Sequence, residues 1–533
     1  MMEHTDTSAR QAFVDAHVTR IEPLMRETNV ADWDAAVSGT EEANARVGAL
    51  TSELLSVYAD QHAFKQVRRW NELPTGEPAL DRQIRLLFLA YAGSQQDDTT
   101  IHRITGLETN IRSAYVNFRG TVAGHPLSDN DIGELLATAN DSNVVRAAWE
   151  ASKQIGWQVA RDVIELVHVR NDAARGMGFN DHWRKDLQLA ELDEGMLFDL
   201  FDDLASVTEL PYAREMAALN EVLGARFGVA TDQLRPWHYG DPFFQRPPRS
   251  DSRLDDIFSS RNLEDLAIQT FDGVGMNVRP ILQRSDLYER SGKNQHAFCT
   301  SIDRKQDVRM LCNLKPTERW METLLHELGH AVYDTHLDPA LPFLLRTPSH
   351  ILTTEAMAML MGRLPLDGTW LRDVVGVPAT EVQQIMPVLQ ARQRLGMLIF
   401  VRWVLVMVHF ERALYTDPEQ DLNSLWWDLV ERFQQIRRPE GRNEPDWAAK
   451  IHLALYPVYY QNYLLGELTA SQISHTIHQR CGGFVNSRQA GEYLKEAIFA
   501  PGTSVPWTAL IEQATGTPLS ARAFEADFVV GLF

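Results

Sequence analysis

Apolar residues recur at intervals of three and four along almost all of the 533-residue chain, a period that admits helices and little else. Phe13, Val14, Val18, Ile21 and Leu24 set the pattern near the N-terminus. It runs through residues 9–70 and returns over 129–180, 194–228, 380–415 and 421–437. Alternating, strand-like patterns are scarce. Between His296 and Leu314, two short extended runs flank Asp303-Arg304-Lys305-Gln306-Asp307, and this predicts one β-hairpin. Residues 236–252 and 437–447, rich in proline, read as loops. The most apolar stretch, 395–410, is interrupted by Arg402 and too short to span a bilayer, so it reads as a buried helix. With no repeat and no flexible linker, the expectation is one large, nearly all-helical domain over residues 1–533.

Charge narrows the partners. Lys plus Arg is 51 against 72 Asp plus Glu, a net charge of −21, which repels phosphate backbones and argues against nucleic acid. Cys299, Cys312 and Cys481 form no CxxC pair, which argues against a thiolate zinc cluster. Cys299 and Cys312 are close enough to meet across the hairpin, but reduced thiols are the expectation. No basic and apolar leader follows Met1, so the expected location is cytoplasmic, without a membrane partner.

Residues 326–330 read His-Glu-Leu-Gly-His. On a helix, positions i and i+4 lie one above the other, so His326 and His330 can reach one zinc ion. Glu327, offset by about 100°, can reach a water on that ion and act as general base. Thr317 is a plausible N-cap, and Trp320, Leu324, Leu325, Leu328, Ala331 and Val332 supply an apolar face. Two residues compete to be the third ligand. His336 has the spacing used by metzincins, but Tyr333 stands where that arrangement needs a glycine to turn the chain. Glu355 is the one acid in the apolar run Thr353-Thr354-Glu355-Ala356-Met357-Ala358-Met359-Leu360, and a zinc ion would offset the cost of burying it. Glu355 is the expected ligand; His336 is expected to be a solvated imidazole at a helix end.

His326-Glu327-Leu328-Gly329-His330 followed by Thr354-Glu355-Ala356 resembles the angiotensin-converting-enzyme family of gluzincin peptidases. The similarity to the thimet oligopeptidase and oligoendopeptidase family is more distant. His296-Ala297-Phe298 resembles the family's substrate-binding edge strand, and Lys450-Ile451-His452 its Lys-x-His segment. Tyr460-Gln461-Asn462-Tyr463 resembles its Tyr-x-x-Tyr, and Val30-Ala31-Asp32-Trp33-Asp34 its first helices. The resemblance implies an all-α, two-lobed gluzincin fold around a deep central cleft, with the short hairpin lining the site. It implies one zinc ion per chain and a short peptide substrate. By the same resemblance, Tyr463 and His452 donate to the oxyanion, Lys450 and Tyr460 grip the substrate's C-terminal carboxylate, and His296 with the backbone of Ala297 holds an extended peptide. Tyr456, Tyr460 and Tyr463 recur at i, i+4 and i+7, as residues sharing one helix face do.

Three positions depart from the family. Tyr239 stands at the best match for a glutamine of the carboxylate clamp, and Met359 where an aspartate orients a zinc histidine. Asn462 stands where animal members carry a chloride-binding arginine, so chloride activation through that site is not expected. The expected activity is that of a peptidyl-dipeptidase. The alternatives are an oligoendopeptidase, a zinc hydrolase of a peptide-like metabolite, and a non-catalytic zinc-containing peptide-binding protein.

Overall fold

A computed structural model describes residues 2–248 and 254–530; residues 249–252 of the expected 236–252 loop lie outside it. It is 71% helical, and its strands form only two antiparallel hairpins among the described residues, so the fold is all-α with short β additions. The elements used below are α1 (Met2–Ser38), β1 (Gly120–Val122), β2 (His125–Leu127), α2 (Ser142–Gly176), β3 (Phe298–Ser301), β4 (Val308–Leu311), α3 (Glu318–Thr335), α4 (Ile351–Gly362), α5 (Ala379–Thr416) and α6 (Tyr460–Cys481). The chain divides into two compact units. One comprises Met1–Gln95, Ser252–Pro387 and Leu465–Phe524; the other comprises Gln96–Asp251, Val388–Leu464 and Glu525–Phe533.

In the first unit, α1 buries Val14, Ile21 and Leu24 against Val67, Trp70, Ile84 and Leu87, as their helical spacing requires. The hairpin expected near 296–314 is β3–β4, with Phe298 opposite Leu311 and Ser301 opposite Val308. Its turn is closed by Asp303, whose Oδ1 accepts the N–H groups of Lys305 (2.9 Å) and Asp307 (3.1 Å). The strand begins at Phe298, so exposed His296 and half-buried Ala297 lie on the approach to it, not within it. Cys299 and Cys312 are free thiols, and burial pushes both up, Cys312 to about 12, which leaves them inert.

Helix α3 starts where the Thr317 hydroxyl accepts the Trp320 N–H at 3.4 Å, and it buries Met321, Leu324, Leu325, Leu328, Ala331 and Val332. Helix α4 starts at His350, whose Nδ1 accepts the Leu352 N–H at 3.1 Å. The two helices meet backbone to backbone at Gly329. A Cβ there would lie 2.6 Å from the Ala358 Cα and 2.7 Å from the Met357 carbonyl oxygen.

The second unit contains β1–β2, a hairpin the sequence reading did not anticipate. Its two-residue turn puts Ala123 at φ +50° and Gly124 at φ +83°, the type I′ geometry that matches strand twist. Gly120 brings the hairpin onto α2, since a Cβ there would sit 2.8 Å from the Ala151 oxygen. The apolar stretch of α5 is buried as expected. Arg402 within it donates from one terminal nitrogen to Ala205 O (2.9 Å) and Thr208 Oγ1 (2.8 Å), which partners part of a guanidinium set among apolar neighbours, while its Nε is buried without a hydrogen bond. No described helix is long and apolar enough to cross a membrane.

Candidate metal centre and active site

The first unit holds His326, His330 and Glu355. Helical spacing stacks the two imidazoles on one face of α3, with ring centroids 5.0 Å apart. The close approach at Gly329 brings α4 to that face. Glu355 Oε2 then lies 3.8 Å from His326 Nε2 and 3.9 Å from His330 Nε2. All three donor atoms lie within 4.8 Å of one another, and no other such group of three occurs among the described residues. Donors on a tetrahedral zinc with bonds of about 2.0–2.1 Å sit about 3.3 Å apart, so small side-chain shifts would close the set around one ion.

The electrostatics suit a cation. Burial lowers His326 to about 4 and His330 to about 3, so both rings are neutral, the state that coordinates metal. His330 Nδ1 lies 2.7 Å from Thr354 Oγ1. If Nδ1–H donates to that hydroxyl, the lone pair of Nε2 is free toward Glu355. In that tautomer Thr354 would occupy, for His330, the orienting place that the resemblance gives to an aspartate at position 359. Met359 itself packs near Gly466, where a Cβ would meet its sulfur at 3.0 Å. Burial, and then the charge of Glu355, push Glu327 up to about 8, and a divalent cation beside this pair would draw it back toward the carboxylate form. His336 is absent from the group. Its Nδ1 donates to Val332 O at 2.8 Å, and its half-buried ring lies 6.2 Å from Phe499, so it is not the solvated imidazole expected.

The second unit gathers His452, Tyr460, Tyr463 and Lys450. Lys450 is buried beneath the rings of Trp403, Phe243 and Tyr460, at 5.3, 5.5 and 5.5 Å, and burial lowers its ammonium to about 8. Its Nζ donates to Gln245 Oε1 at 2.9 Å. Gln245, not Tyr239, is thus the amide beside Lys450. The Tyr239 hydroxyl is turned away and donates to Asn220 Oδ1 at 3.0 Å. Gln245 is aimed by a turn in which Asp241 Oδ1 accepts the Phe243 N–H at 2.8 Å, and Gln434 Nε2 fixes that turn by donating to the Phe243 and Phe244 carbonyls.

Tyr460 is buried and accepts a hydrogen bond from Trp403 Nε1 at 3.1 Å. Its ring lies 5.1 Å from His452 and 5.6 Å from half-buried Tyr463. Tyr456 does not share their helix face. It lies before the start of α6, 48% exposed, cut off by Val458 at φ +52°. Asn462 is buried.

Residues 282–530 match the family model of peptidase family M3, and residues 4–207 match that of angiotensin-converting enzyme. No curated protein is a significant match. The metal group and the Lys450–Tyr463 cluster both fall in the M3 match, while α1 and α2 fall in the other. These two matches, one in each half of the chain, support its resemblance to the gluzincin metallopeptidases of the angiotensin-converting-enzyme and M3 group.

Proposed function

We propose that the chain acts as one zinc peptidase domain that removes dipeptides from the C-termini of short peptides. The observation that carries the metal chemistry is the approach of His326 Nε2 and His330 Nε2 to one oxygen of Glu355 at 3.8 and 3.9 Å. When bound there, zinc supplies Lewis acidity to the scissile carbonyl and to a water. Glu327 takes the proton from the attacking water and passes it to the leaving amine. Tyr463 and His452 donate to the oxygen on which negative charge develops. Lys450, with Tyr460 and Gln245, receives the substrate's terminal carboxylate. An ammonium that burial already holds at about 8 gains most from an anionic partner. His296 and the backbone of Ala297 hold the extended peptide as an added strand on β3.

The second reading is an oligoendopeptidase, favoured by the M3 match over the catalytic half. Digestion of one peptide as the free acid and as the C-terminal amide separates the two. The dipeptidase reading expects successive losses of two residues from the acid, and at least a tenfold lower kcat/KM on the amide, the order of one lost charge-assisted contact. Equal internal cleavage of both forms would establish the endopeptidase instead.

A further inference from the structure

The connection from the short helix His452–Leu455 to α6 is only residues 456–459, and the two proposed oxyanion donors, His452 and Tyr463, flank it. Val458 sets its geometry at φ +52°. A β-branched residue is crowded there by its own Cβ and relaxes to negative φ unless it is held. Two buried side chains hold it. Glu411 Oε1 on α5 accepts the Val458 N–H at 2.8 Å, and Gln461 Nε2 donates to the Val458 carbonyl at 2.6 Å. Glu411 is 2% exposed and follows directly on the largely apolar stretch 395–410. Burial pushes it up to about 8. A carboxyl set in such a place is costly, and the hydrogen bond it makes is the one to Val458.

We propose that Glu411 is a positioning residue: by gripping the Val458 N–H it locks the 456–459 connection in its left-handed turn, and so fixes Tyr460 and Tyr463 relative to His452. The three rings succeed one another at 5.1 and 5.6 Å, so a shift of the turn reaches all of them. Misplacement by about an ångström is enough to impair a preorganised donor. The inference rests on the reading of His452 and Tyr463 as transition-state donors.

The test compares Glu411→Gln, Glu411→Leu, Val458→Gly and the double variant Glu411→Leu/Val458→Gly on one short peptide, with kcat, KM and zinc content measured separately. Glu411→Gln keeps an acceptor oxygen and stays within about threefold of the parent kcat. Glu411→Leu loses at least about tenfold in kcat, with KM and zinc content within about twofold, because the donors act in the transition state. Val458→Gly restores most of that loss in the double variant, since glycine holds φ near +52° without a grip. A parent-like kcat for Glu411→Leu, a loss confined to KM or zinc, or no recovery by glycine overturns the proposal. If Glu411→Leu alone fails to fold, the double variant is compared with Val458→Gly: kcat values within about threefold support the grip, and a wider gap overturns it. Tyr463→Phe separates this inference from its premise. A parent-like Tyr463→Phe enzyme removes the donor reading itself; a crippled one beside an active Glu411→Leu enzyme removes only the positioning role.

Discussion

Thr354 shows how a single side chain can stand in for a missing one. Its hydroxyl lies 2.7 Å from His330 Nδ1, within reach to orient the ring if Nε2 is to meet a metal. Thr354→Val keeps the shape and removes the oxygen, and we expect zinc affinity to fall about 10–100-fold in chelator competition. Unchanged affinity would show that the hydroxyl does not orient the ring. The need for such a partner was legible in the sequence, because Met359 cannot meet it. Its identity was not, since only the approach of α4 to α3 brings Thr354 to the second ring nitrogen. Gln245 was hidden for a similar reason. It reaches Lys450 through the Asp241 turn, in a proline-rich loop whose path no periodicity predicts.

At the level of elements, the metal centre depends on two helices in backbone contact. Gly329 permits that contact, and any Cβ at that position collides with main-chain atoms of α4, which cannot swing aside as a side chain can. Gly329→Ala should therefore lower stability by about 1–3 kcal/mol in urea denaturation. It should weaken zinc binding as well, because Glu355 moves away with α4. A variant with parent-like stability and metal affinity would show that the contact is slack. Helix α3, its Thr317 cap and the β3–β4 turn were legible because their signals are local. The β1–β2 hairpin was missed because Ala123 occupies a left-handed position where asparagine would have announced the turn. Tyr456 was wrongly placed on the face of Tyr460 because i, i+4 spacing assumes an unbroken helix, and the left-handed Val458 breaks it.

For the whole molecule, buried titratable groups set a pH window. Burial lowers His17, His238 and His409 from 6.5 to about 4. Above pH 6.5 these rings are neutral both folded and unfolded. As the pH falls from about 6.5 to about 4, the unfolded chain takes up protons that the folded chain refuses, so stability drops. Asp334, raised to about 7, and Glu411, raised to about 8, act in the opposite sense. The folded chain keeps those two protons where the unfolded chain has released them, so stability also falls as the pH rises from about 6.5 to about 7; above that, buried Lys153, lowered to about 7, gives up a proton the unfolded chain keeps and offsets Glu411. Urea denaturation across pH 4.5–8 should give greatest stability near pH 6.5, and a flat or monotonic profile would contradict this assignment.

We propose that His326, His330 and Glu355 hold a zinc ion that Glu327 serves as base. Zinc content and peptide turnover, measured together on the parent and on Glu327→Gln, test it most directly. We expect about one zinc per chain in both proteins and at least a hundredfold loss of kcat in the variant. A parent that neither carries nor takes up zinc, or a Glu327→Gln variant with undiminished turnover, would contradict it.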